Sequence, residues 1–199
     1  MNKKNVAIFV SGGGTNCENL ICHFRNNPTI DIRLVVSNRS DAYALVRAQR
    51  LEVPTAIVSK AELADPGLVL PLMRKYDIDW IVLAGFLPLI PEYLIDAFPR
   101  RIINLHPALL PKFGGKGMWG HHVHEAVYAA HETETGMTVH YVSPICDGGD
   151  IIAQFRVALT PDDTPDTIAE KEHELEMKHF PAVVESLLAD EPLPSPEKI

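Results

Sequence analysis

An open, mostly parallel α/β sheet is the fold class that this sequence predicts, on three observations. Short apolar runs at residues 6–10, 32–36, 53–58 and 80–84, and one ending at Asn104, alternate with stretches of helical period, the pattern of parallel strands covered by helices on both faces. The first run leads directly into Ser11-Gly12-Gly13-Gly14, where a strand hands over to a helix through backbone that lacks side chains. Two later runs, 138–142 and 151–157, are joined by only eight residues, too few for a crossover helix, so they predict antiparallel additions at the sheet edge.

Each element follows from its local pattern. Val6 to Val10 form a buried first strand, and residues 16–25 form a helix with Leu20, Ile21 and Phe24 on one face. Residues 42–49 form a second helix after the strand at 32–36. Pro66 and Gly67 interrupt the chain before a helix over 68–76 that leads into the continuous apolar strand from Trp80. A short helix over 91–98 precedes the strand that ends at Asn104, and Val123, Ala126 and Val127 mark a helix over 121–131. Residues 167–188 form a long helical region, broken or bent near Pro181. The result is a Rossmann-like open twisted sheet with antiparallel strands toward the C-terminal part.

The 199 residues with 46% hydrophobic content suit a single domain over 1–189 with a Pro-rich tail over 190–199. A formal charge of −8 and no basic run argue against nucleic acid held by charge. The apolar run at 6–10 is too short for a leader or a membrane span, which predicts a cytoplasmic protein without a membrane partner. Cys17, Cys22 and Cys146 have neither metal-ligand spacing nor an even count, and are expected as free thiols.

Two segments carry chemistry. Asn104 and His106 stand two residues apart on extended backbone and so share a face, where an amide donates to a developing oxyanion while an imidazole handles a proton. A polar pair that merely ends a strand is the competing reading. Gly12, Gly13, Gly14, Thr15 and Asn16 lie at a helix N-terminus, whose unpaired N–H groups suit a phosphate. The loop is neither a dinucleotide fingerprint nor a lysine-bearing P-loop, so it does not distinguish a nucleotide from a sugar phosphate, and a plain Gly-rich turn remains open.

From residue 5 to about 188 the chain resembles the phosphoribosylglycinamide formyltransferase family. The resemblance rests on Ser11-Gly12-Gly13-Gly14-Thr15-Asn16, Leu83-Ala84-Gly85-Phe86, the run from Asn104 to Pro111 and Asp147-Gly148-Gly149, in that order. It implies a 10-formyltetrahydrofolate donor, a glycinamide ribonucleotide acceptor and direct transfer without metal, in de novo purine (IMP) biosynthesis by a monomer or weak homodimer. In such a family member Asn104 polarises the formyl group, His106 assists proton transfer, and Asp147 supports the imidazole and a bound water. Phe86, Leu87, Pro88, Leu89 and Ile90, with Asn104 and Asp147, would receive the folate; Glu176 would meet the amine region of the acceptor. Read without the resemblance, 87–90 is core, Asp147 braces a Gly-rich turn, and Glu176 is an exposed helix carboxylate. By charge, Asp147 beside His106 would favour the imidazolium.

The chain departs from the family pattern at Met177, where relatives often carry histidine after the glutamate, and Glu172-His173 lies one turn earlier. Glu62 stands where some relatives carry a basic residue, with Lys60 as a substitute. The four glycines between Phe113 and His121 suggest mobility or close packing over ligand. His121, His122 and His124 diverge on a helix and lack acidic or thiol partners, so no metal site is expected. His140 is expected to support the site rather than react, and Met118 and Trp119 to cover apolar surface. Rival functions are a noncatalytic nucleotide-binding or sensor module, methionyl-tRNA formyltransferase and formyltetrahydrofolate hydrolase.

Overall fold

The computed structural model describes residues 3–194, and the chain forms an α/β fold whose strands divide into a parallel and an antiparallel part. The described residues divide into two compact units, 3–104 and 105–194. The first unit contains β1 (Lys4–Val10), α1 (Thr15–Phe24), β2 (Ile30–Ser37), α2 (Tyr43–Arg50), β3 (Thr55–Ile57), α3 (Lys60–Leu63), α4 (Pro66–Lys75), β4 (Trp80–Leu83), α5 (Glu92–Ala97) and most of β5 (Ile102–His106). Its strands pair in the order β3-β2-β1-β4-β5, all parallel. Val6 through Val10 are fully buried, as a strand sandwiched between helical layers requires.

The second unit contains the end of β5, α6 (His121–Ala129), β6 (Glu134–Tyr141), β7 (Ile151–Ala158) and α7 (Pro165–Leu188). β6 and β7 pair antiparallel, and α7 packs on α6, β6 and β7. Among the described residues no helix is long and apolar enough to cross a membrane.

Several boundaries differ from the sequence expectation, each for a physical reason. Pro66 and Gly67 do not interrupt the chain: Asp65 accepts from the Gly67 N–H at 2.7 Å, and Pro66 opens α4 at a position where its missing donor is harmless. β6 begins four residues before Thr138 because Glu134 pairs with Ala158 and Gly136 with Arg156, so tertiary pairing overrides weak local propensity. At Gly136 a Cβ would lie 1.9 Å from the Phe155 carbonyl oxygen, which leaves glycine as the residue that fits. β5 runs through His106 rather than ending at Asn104. α7 continues across Pro181, whose buried ring sits inside the helix without breaking it. Of the tail, residues 191–194 carry no regular element and 195–199 lie outside the described residues. The three cysteines are free.

Candidate active site

In the first unit, the loop between β1 and α1 is shaped by bonds from its own surroundings. The Ala44 N–H donates to the Gly12 carbonyl at 3.1 Å, and Arg47 Nε donates to the Gly13 carbonyl at 2.9 Å. A trans peptide points its N–H opposite to its carbonyl, so the amides of Gly13 and Gly14 point away from α2. Arg47 is itself paired with Glu18, which fixes the guanidinium under the loop. Gly14 caps α1 at φ 77°, and a Cβ there would lie 2.4 Å from the Cβ of Ala44. At Gly12 and Gly13 a Cβ would meet nothing within 4 Å, so packing does not demand glycine at either position. Exposed amides at a helix N-terminus with room above them have the geometry to receive an anion.

Ser11 ties this loop to its neighbours. Its hydroxyl donates to Asn38 Oδ1 at 2.5 Å and accepts from the Leu87 N–H at 2.9 Å, while its own N–H donates to the Gly85 carbonyl. The segment after β4 is therefore held by backbone, and its side chains alternate. Phe86 and Ile90 are buried, Phe86 standing edge-on to Phe9 with ring centroids 5.2 Å apart. Leu87 and Leu89 are 50% and 68% exposed. The core reading of 87–90 thus fails for these two leucines, which present apolar surface beside a backbone-built loop. Asn104 lies in register with Leu83 of β4 and is half-buried. It stands two residues before His106 on β5, the spacing that puts both side chains on one face of the strand.

The second unit holds a buried acid–base cluster. His106 is 3% exposed; its Nε2 donates to the Phe113 carbonyl at 2.8 Å, and its Nδ1 faces Asp147 Oδ2 at 3.7 Å. His140 repeats the arrangement: Nδ1 donates to the Tyr141 carbonyl at 2.9 Å, and Nε2 lies 3.6 Å from Asp147 Oδ1. The Gly115 N–H donates to Asp147 Oδ2 at 2.9 Å. Asp147 both braces the glycine loop and stands between two imidazoles, and its φ of 52° is held by these contacts. Gly114 allows the approach, since a Cβ there would lie 2.4 Å from Leu110 Cδ2 and 3.4 Å from Asp147 Cβ.

Charge in this cluster is set by burial as well as by Asp147, whose attraction favours the imidazolium as expected. Burial pulls the His106 imidazole below its ordinary value, and the attraction of Asp147, though it acts the other way, is the smaller effect. His106 is therefore neutral near pH 7, not imidazolium. Burial alone would raise Asp147, but its interactions with His140 and the Gly115 N–H outweigh burial and hold it below the usual carboxylate value. A neutral base beside an ionised carboxylate is ready to accept a proton and to be stabilised once it has done so.

Glu176 is not the exposed carboxylate of the bland reading. It is 8% exposed and accepts from His173 Nδ1 at 3.1 Å, and this hydrogen bond, aided by the charge of Glu176, holds His173 above its ordinary value. Glu62 is committed elsewhere: its carboxylate accepts from the Ser59 N–H at 2.8 Å in a capping box that opens α3. The histidines of α6 have diverged, with His121 and His122 exposed and His124 6% exposed. Trp119 is 51% exposed and stands edge-on to His122. Asn38 and Arg47 carry no local sequence signal as residues that shape the loop, since Asn38 merely follows β2 and Arg47 lies within α2.

Known proteins resemble this chain over most of its length. The profile of the family described as formyl transferase matches residues 4–184. The chloroplastic phosphoribosylglycinamide formyltransferase of Arabidopsis thaliana is 38% identical over 92% of this chain, which spans 66% of that relative's length. The phosphoribosylglycinamide formyltransferase of Haemophilus influenzae is 32% identical, with 91% of this chain and 85% of the relative covered. A solved structure of the Coxiella burnetii phosphoribosylglycinamide formyltransferase superposes with a TM-score of 0.85 at 37% identity, over 95% of this chain and 89% of that one.

Proposed function

We propose, from the premise that the chain belongs to the phosphoribosylglycinamide formyltransferases of the formyl transferase family, that it transfers a formyl group from 10-formyltetrahydrofolate to the amine of N1-(5-phospho-D-ribosyl)glycinamide. The observation that carries the chemistry is the neutral, buried His106 held between the Phe113 carbonyl and the ionised Asp147. The acceptor amine attacks the formyl carbon, and its electron pair displaces the carbonyl electrons onto oxygen. Asn104 donates to that oxyanion. His106 takes the proton that the attacking nitrogen loses, and the resulting imidazolium faces Asp147. Collapse of the intermediate expels the folate N10, which regains a proton, leaving tetrahydrofolate and formylglycinamide ribonucleotide.

Binding is divided among loops. The amides of Gly12, Gly13, Gly14, Thr15 and Asn16 receive the ribonucleotide phosphate, and Glu176 meets the acceptor amine. Leu87 and Leu89 lie against the pterin, positioned by Phe86, Pro88 and Ile90, with Asn104 and Asp147 completing the donor contacts. Residues 1–189 act as one formyltransferase domain, cytoplasmic, metal-free and a monomer or weak homodimer, within purine biosynthesis. Incubation with 10-formyltetrahydrofolate and, separately, glycinamide ribonucleotide, methionyl-tRNA or water tests the reading: formylated glycinamide ribonucleotide is expected as the main product. Formylation of the tRNA alone, or release of free formate alone, would overturn it.

A further inference from the structure

α7 carries a second carboxyl behind Glu176. Glu172 lies one helical turn earlier on the same face and is 2% exposed, beside Glu176 at 8%. Two carboxyls buried side by side do not both ionise, so one of the pair holds a proton. The surroundings decide which one. Glu176 already receives the His173 Nδ1 at 3.1 Å, the arrangement of an anion. Glu172 is deeper, and its Oε1 makes no hydrogen bond, a situation tolerable for the carbonyl of a neutral acid and expensive for a carboxylate. Burial first, and then the charge of Glu176, push Glu172 well above the ordinary carboxylate range.

The other titratable neighbours leave this assignment intact. From α6 comes His124, whose buried Nδ1 also makes no hydrogen bond and which burial and His121 keep neutral. From β5 comes the neutral His106, with His140 of β6 beside it. From β7 the Phe155 ring stacks on His179 of α7 at 4.1 Å.

We infer that Glu172 is a positioning residue, a carboxylic acid that donates its proton as a hydrogen bond to Glu176 and so fixes the Glu176 carboxylate for the acceptor amine. The pair holds one negative charge and one proton, and titrates as a unit. Its role toward the acceptor rests on the transferase reading given above, whereas the protonation of Glu172 does not.

Glu172→Gln keeps a donor of similar shape, and Glu172→Ala removes it. A group whose folded-state pKa is raised stabilises fully below its unfolded value and loses that contribution as pH rises through the folded value. Relative to the parent, the folding equilibrium of Glu172→Gln should therefore gain roughly tenfold per pH unit above pH 5 until Glu172 ionises in the parent. Chemical denaturation from pH 5 to 8 reads this, and the histidines named above are common to both proteins. In steady-state kinetics, Glu172→Ala should raise the KM for glycinamide ribonucleotide about tenfold with little change in the folate KM, while Glu172→Gln stays near the parent. A parent-like pH slope in Glu172→Gln would overturn the inference, as would equal KM effects of the two variants. If no variant or parent formylates the acceptor, the functional reading fails and the denaturation result decides the inference alone.

Discussion

At Gly13 the backbone is exposed, a Cβ would meet no atom within 4 Å, and the nearest fixed charges sit beneath the loop. At His106 the side chain is 3% exposed, one ring nitrogen is committed to a carbonyl, and the other faces a carboxylate that is itself bonded to a backbone amide and a second imidazole. On the proposed reading, the first region works with main-chain dipoles, whose charge does not titrate, and needs only a fixed shape. On the same reading, the second works with groups that change protonation, and burial sets their proton affinity. Substitutions should therefore divide: changes around Gly13 alter binding, and changes around His106 alter turnover and its pH dependence.

The largest effect is expected in the acid–base cluster. His106→Asn should lower kcat by about 10² to 10⁴ with modest change in either KM, since it removes general acid–base catalysis, and Asn104→Ala should follow at about 10² to 10³ through loss of an oxyanion donor. Rapid-quench measurement of formylated product reads both. A loss that appeared only in KM would erase the distinction between the regions.

Asp147→Asn sharpens the same contrast through pH. His106 lies below its ordinary value in the parent, so its base form persists into mildly acidic solution, and turnover should decline only below about pH 6.5, the unperturbed imidazole value. Asp147 opposes that depression; its replacement should move the acid limb to still lower pH while reducing the maximum. The sign for stability is the same: the depressed His106 contributes above the unfolded value and loses that contribution as pH falls through the folded one. A pH–rate profile whose acid limb moved upward in Asp147→Asn would contradict the electrostatic account.

These two regions were not equally legible from sequence. The glycine loop was visible because a backbone-built site leaves its signature in the residues themselves, and Asn104 and His106 because alternate polar residues at the end of an apolar strand are uncommon. The parallel sheet was readable for the same reason: buried strands are continuous apolar runs. Burial of polar groups was not readable. Glu172 and Glu176 look like the solvated face of a charged helix, Leu87 and Leu89 look like core, and the two imidazoles flanking Asp147 come from strands separated in sequence. In each case long-range packing, absent from local pattern, decides the environment.

Within the glycine loop the comparison can be broken more finely. Gly14→Ala should destabilise the protein by about 2 to 4 kcal/mol, from the left-handed backbone and the clash with Ala44. Gly13→Ala should change stability by no more than about 0.5 kcal/mol, yet weaken the acceptor. Denaturant midpoints and acceptor titration separate the two; equal destabilisation would show that packing, not ligand approach, explains both glycines. Smaller still, Leu89→Asp should leave stability unchanged within about 0.5 kcal/mol because the residue is 68% exposed, while raising the folate KM about tenfold. An effect on the acceptor instead would misplace the donor.

Single-turnover formyl transfer with both substrates saturating tests the division most directly, because saturation removes binding from the rate. Under that condition Gly13→Val should approach the parent rate within a few-fold, while His106→Asn remains slower by at least about a hundredfold. The opposite order, with the glycine variant slow and the histidine variant near the parent, would contradict the account.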